Sequence, residues 1–170
     1  MKNKMTEKLF ELAYTDSMTE VQNRNAYEER LKKLRKPNAN ISRITVIVVD
    51  VNGLKEINDS YGHFCGDDAI KTVAKALRDT IGLKADIFRI GGDEFILVVQ
   101  NSNENDISCI VERWRQVLDI MNKTAKNCIC EVAVGYAYGA GKDIENIKNS
   151  ADLKMYENKQ KNKKSSIINS

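Results

Sequence analysis

Two acidic positions in this chain have the type and setting to do chemistry. Asp50 closes the apolar run Val46-Ile47-Val48-Val49, and Asp93-Glu94 stand between two further apolar runs. If those runs are neighbouring strands, all three carboxylates meet at one edge of a sheet. Like charges held together away from water repel, so such an edge wants a divalent cation. A donor set made only of oxygens suits Mg²⁺ or Mn²⁺, not zinc. Taken alone, the same residues read equally well as a strand-end cap and an ordinary solvated turn.

The thiols offer less. Cys65, Cys109, Cys128 and Cys130 include no CxxC pair, and His63 is the sole histidine, which speaks against a zinc site. Cys128 and Cys130 lie in an alternating apolar stretch and are expected to be buried, reduced thiols of a cytoplasmic domain.

Composition bounds the rest. The 170 residues, 42% hydrophobic and 30% charged with one Pro, describe a single domain long enough to build a core. No apolar run reaches the roughly 18–20 residues that span a bilayer, and the basic start MKNKMTEKLF has no apolar stretch behind it to make a secretory signal. A net charge of +3 is too small to argue for nucleic acid.

The elements that must position the acids follow from periodicity. Thr6 to Tyr14 reads as a short helix, and Asn23 caps a second that carries Tyr27, Leu31 and Leu34 on one face. Ile44 to Val51 is a β-branched run, hence a strand buried on both faces. A short helix over 53–60 precedes a long amphipathic one marked by Ile70, Val73, Ala74, Leu77 and Ile81. Ile87–Ile90 and Phe95–Val99 form a hairpin, with Gly91 and Gly92 expected where positive φ is needed. A helix from Ile107 to Met121, a strand over 129–138 and a helix from Ile144 to about Lys159 complete the chain. Helices interleaved with strands around a tight hairpin predict an α/β (α+β) sandwich. Its sheet is expected to be mixed and largely antiparallel, not a doubly wound Rossmann fold.

The tip itself spells Gly91-Gly92-Asp93-Glu94-Phe95, which resembles the signature of the GGDEF, or diguanylate cyclase, family. Asp16-x-x-Thr19-x-x-x-Asn23-Arg24 resembles that family's opening motif, with Met18 and Glu20 in place of the usual Leu and Gly. The stretch from Asp50 through Asn58, His63 and Gly66-Asp67 resembles its nucleotide-binding segment. Ala151-Asp152-x-x-Met155-Tyr156-x-x-Lys159 resembles its closing helix. The likeness runs from about residue 6 to 164 in the family's order.

The resemblance implies a polymerase-palm or nucleotide-cyclase fold that condenses two GTP into cyclic di-GMP and releases two pyrophosphates. By the same resemblance Asp50, the Val51 carbonyl, Asp93 and Glu94 bind Mg²⁺ (or Mn²⁺), two ions per site, and Asp93 is the base for the attacking 3′-hydroxyl. Lys55 matches a catalytic lysine that faces phosphate, beside the backbone N–H groups of Gly53 and Leu54. Asn58 and Asp67 match a guanine-reading pair, although Asp67 alone reads better as a helix N-cap. His63 is a substrate contact or a structural ring in a turn. Lys159 and Lys163 fall at two phosphate ligands, the second usually Arg, while Lys161 and Lys164 read as a solvated tail.

A homodimer is implied for catalysis, with no nucleic-acid or membrane partner. Residues 1–15 are expected as a helix, the stub of an upstream signalling helix or the start of a free-standing domain. The catalytic domain is placed at 16–164 and a tail at 165–170. The alternative is a non-catalytic domain that binds GTP or a protein partner; such relatives commonly have a damaged GGDEF motif, and here all five positions are intact. Many relatives also carry Arg-x-x-Asp five residues before GGDEF as a product-binding brake. Here that window reads Gly82-Leu83-Lys84-Ala85, so the brake is expected to be missing.

Overall fold

The computed structural model describes residues 2–36, 43–125 and 128–168, with side chains at 8–36, 43–82, 84–125 and 128–162. The order is α1 (Lys2–Tyr14), α2 (Arg24–Leu34), β1 (Ile44–Asn52), α3 (Leu54–Tyr61), α4 (His63–Ile81), β2 (Ala85–Arg89), β3 (Glu94–Gln100), α5 (Glu104–Thr124), β4 (Glu131–Gly139) and α6 (Ile144–Ile168). Short 3₁₀ turns, Gly82–Lys84 and Gly141–Asp143, precede β2 and α6. No helix among the described residues is long and apolar enough to cross a membrane.

The sheet has the order β2-β3-β1-β4, and each of these neighbours pairs antiparallel. Among the described residues a parallel contribution is confined to the isolated Gln22–Phe88 bridge. Because side chains alternate along a strand, β1 serves two cores. Ile47, Val49 and Val51 face α4 and α5, where Ala69, Val73, Leu77, Val111 and Trp114 cover them. Val46 and Val48 face α2 and α6, under Leu34, Ile144, Ile147 and Ala151. Buried on both faces, β1 is the spine on which the acidic edge is built.

The expected elements are present, with local corrections. α1 starts at Lys2, ahead of Thr6. The Asn23 cap is in place, its side chain accepting from the Ala26 N–H at 3.1 Å. Gly91 and Gly92 do not adopt positive φ; the positive-φ glycines are Gly53, Gly62 and Gly82. The hairpin is closed by the Ile90 N–H on the Glu94 carbonyl at 3.0 Å.

The cysteines depart most from expectation. Cys65 and Cys128 are joined in a disulfide across 63 residues of sequence, with their Cα atoms 5.2 Å apart. The first turn of α4 faces the segment that leads into β4, a neighbourhood created by tertiary packing. Cys130 is a buried free thiol, as expected, and burial pushes it up to about 11; Cys109 is exposed and free.

Candidate active site

β1 and β3 end side by side, with Asp50 opposite Glu94 in the register and the Val51 N–H donating to the Asp93 carbonyl at 3.0 Å. This brings the acids to one edge, but they do not make a tight cluster. Among the described residues no three acidic, histidine or cysteine side chains stand close enough to hold an ion between them. Lys159 Nζ donates to Asp50 Oδ1 at 2.5 Å, so a cation of the chain itself occupies that carboxylate. Glu94 is half-buried; burial pushes its carboxyl up, Lys148 pulls it down, and the carboxylates of Asp152, Asp50 and Asp93 push it up again. Asp50, Asp93 and the Val51 carbonyl still form an all-oxygen donor set beside a crowded acid, and that chemistry fits a hard divalent cation.

The tip is held from below. Arg89, the last residue of β2, donates from Nη2 to the Gly92 carbonyl at 2.8 Å and from Nη1 to Asp16 Oδ1 at 3.0 Å. Asp16 also accepts from the Thr19 N–H and hydroxyl, at 2.9 and 2.6 Å. The opening motif is therefore a brace for the hairpin rather than part of the cavity.

A cavity of about 690 Å³ opens beside the edge, lined by Val51, Gly53, Leu54, Lys55, Asp93 and Lys159 among others. That size is ordinary for a small-molecule site. Gly53 takes φ 65°, a left-handed turn that suits glycine, and starts α3 with no side-chain cap. The first N–H groups of that helix have no intrahelical partner, and they are an electropositive end for an anion.

The other expected contacts lie where α3 meets α4. Asn58 Oδ1 is buried and has no hydrogen-bond partner. It fits only because position 66 is glycine: a Cβ there would stand 2.0 Å from that oxygen. Asp67 is half-buried in the second turn of α4, which begins four residues earlier at His63 behind Gly62. Asp67 is therefore not an N-cap, and that reading is withdrawn. His63 is exposed at the helix start, and none of Asn58, His63 and Asp67 lines the cavity itself. The side chain of Lys163 lies outside the described residues.

Sequence reasoning did not single out Asn52, Ile129, Glu131 and Asn162, which also line the cavity. Asn52 Oδ1 is buried without a partner. An Asn closing a β-branched strand was its available signal; the other three come from chain segments far from Asp50 and had none.

The family described as "Diguanylate cyclase, GGDEF domain" matches residues 13–165. The diguanylate cyclase DosC of Escherichia coli strain K12 is 31% identical over 147 residues, covering 83% of this chain and 32% of that protein. The signaling protein YkoW of Bacillus subtilis strain 168 is 30% identical over 169 residues, 94% of this chain and 21% of that protein. The chain thus spans about a third or less of these relatives. In structure it is similar to the coiled coil and GGDEF domain of DgcB from Caulobacter crescentus, solved with c-di-GMP. The TM-score is 0.79 at 21% identity, covering 94% of this chain and 87% of that one, a likeness of fold.

Proposed function

The chain belongs to the diguanylate cyclase GGDEF domain family, and on that premise we propose that it condenses two GTP into cyclic di-GMP with release of two pyrophosphates. One observation carries the reading: the intact GGDEF tip is braced beside the Asp50–Val51 end of β1, at the mouth of a cavity with a helix N-terminus and two lysines on its walls.

In this reading the Asp50 and Asp93 carboxylates and the Val51 carbonyl hold Mg²⁺ or Mn²⁺, two per site, with Glu94 completing the acidic edge. When bound, such ions activate a hydroxyl and offset the charge of leaving pyrophosphate. The N–H groups at Gly53 and Leu54, with Lys55, Lys159 and Lys163, take the triphosphate. Asp93 accepts the proton of the attacking 3′-hydroxyl. Asn58 and Asp67 read guanine: the Asp67 carboxylate accepts from N1–H and N2–H₂, donors that adenine does not present in that pattern. Each chain has one such pair and the product has two guanosines joined by two equivalent bonds, so two chains face each other across a two-fold axis.

The test is to incubate the purified chain with Mg²⁺ and GTP or ATP and identify products by mass spectrometry across a range of protein concentrations. Cyclic di-GMP from GTP alone, with specific activity rising with concentration, is expected. A folded chain that binds GTP without turnover would instead make it a nucleotide-binding module.

A further inference from the structure

β4 is an edge strand, so N–H groups along its outer side have no strand to receive them. One of them is taken by a helix. The Val134 N–H donates to Asn158 Oδ1 of α6 at 3.0 Å, and Arg115 Nη2 of α5 donates to the same oxygen at 3.3 Å. α5 and α6 lie on opposite faces of the sheet, and Asn158 is where they meet around its edge.

Among the described residues the buried apolar side chains of α6 are Ile144, Ile147 and Ala151, with Met155 partly buried, while Leu153 and Tyr156 are 67% and 59% exposed. The helix crosses the strand in backbone contact: a Cβ at Gly135 would stand 2.1 Å from the Met155 nitrogen and 2.2 Å from the Ala151 oxygen. Gly135 is thus a fulcrum, and the helix beyond it is steered by polar bonds. Asn158 comes next, and Lys159, with its ammonium on Asp50, follows immediately.

We infer that Asn158 is a positioning residue: by clamping α6 to the Val134 N–H at the sheet edge, it aims Lys159 into the nucleotide cavity. The inference rests on the reading of Lys159 as a phosphate ligand. Asn158 falls at a position that the closing-helix motif leaves open.

The test is a double-mutant cycle on the full chain, read as affinity for a GTP analogue with a non-cleavable α,β-bridge in Mg²⁺, by titration calorimetry. Asn158→Ala should weaken binding about tenfold, the size of one lost hydrogen bond. In a Lys159→Ala background it should add almost nothing, because the residue it aims is gone. Asn158→Asp, which keeps an oxygen acceptor in place, should restore most of the affinity. If Asn158→Ala does not give a native circular dichroism spectrum, Asn158→Ser carries the same comparison. An equal loss in both backgrounds, or no loss in either, overturns the inference while the nucleotide site stands. If the unaltered chain binds no analogue, the reading of the site fails and the inference falls with it.

Discussion

Lys159 and Asp50, 109 residues apart in sequence, meet at 2.5 Å with both side chains largely withdrawn from solvent. The pair joins the last helix to the central strand at the acidic edge. Asp50 is thus shared between the chain's own cation and the donor set proposed for the metal. Either Asp50→Asn or Asp93→Asn should abolish cyclic di-GMP formation with a native far-UV circular dichroism spectrum: Asp93→Asn removes one acid from a crowded edge, and Asp50→Asn keeps an amide oxygen that can still accept from Lys159. Turnover retained in both variants would reject the assignment.

Base choice should depend on Asp67. Its place within α4 leaves it without a capping duty, so Asp67→Ala should spare the fold. It should weaken GTP roughly ten- to a hundredfold, the size of a lost charge-assisted hydrogen bond, and leave ATP binding nearly unchanged. Competition titrations with both nucleotides check this; equal losses would remove Asp67 from guanine recognition.

Product should inhibit only weakly. The arginines on either side of the Gly82–Ala85 window are both committed, Arg78 to the Thr19 carbonyl and Glu20, and Arg89 to Asp16 and the Gly92 carbonyl. Asp86, the acid that directly follows that window, is paired with Arg30 of α2 at 2.8 Å. Added cyclic di-GMP should act as a competitor that excess GTP overcomes. Initial rates at several GTP concentrations decide, and tight non-competitive inhibition would reveal a site built from other residues.

Glu20 carries a strain that a single change should relieve. It sits at φ 60°, where a β-carbon is crowded and the resembled family has glycine. The partner of its carboxylate, Arg78, is half-buried and still reaches the Thr19 carbonyl without it. Glu20→Gly should therefore raise stability by about 0.5–1 kcal/mol, seen as a higher urea midpoint at unchanged slope. A lower midpoint would mean that the Arg78 contact outweighs the strain.

The brace under the hairpin should be acid-sensitive. Burial pushes the Asp16 carboxyl up, but the bonds from Thr19 and Arg89 outweigh it, and the group titrates below its usual 3.8. A folded pKa lower than the unfolded one contributes stability that is complete above the unfolded value and fades as pH falls through the folded one. The melting-temperature gap between the parent and Asp16→Asn should be full at neutral pH and should close below about pH 4. A gap independent of pH would assign Asp16 a purely steric role.

Elements were legible in the sequence wherever burial imposed a period. Ile70, Val73, Ala74, Leu77 and Ile81 are all buried along α4, and β1 is covered on both faces. The acidic edge was legible because Asp50 and the GGDEF tip each end an apolar strand. What the sequence hid were relations between distant segments. The Lys159–Asp50 pair, the Asn158 clamp and the Cys65–Cys128 bond each depend on how helices cross the sheet, and no local pattern encodes that. The glycines at 91 and 92 show the converse: a familiar residue type suggested a backbone angle that the hairpin does not use.

The Cys65–Cys128 bond also closes the chain into a covalent ring. β2, β3 and α5 all lie inside it, and with them the tip that carries Asp93. A protease that cuts once anywhere within the ring cannot release a fragment. The nicked chain would migrate as one species on a gel without reductant and as two pieces with it, both halves of the acidic edge staying tethered until the thiols are freed.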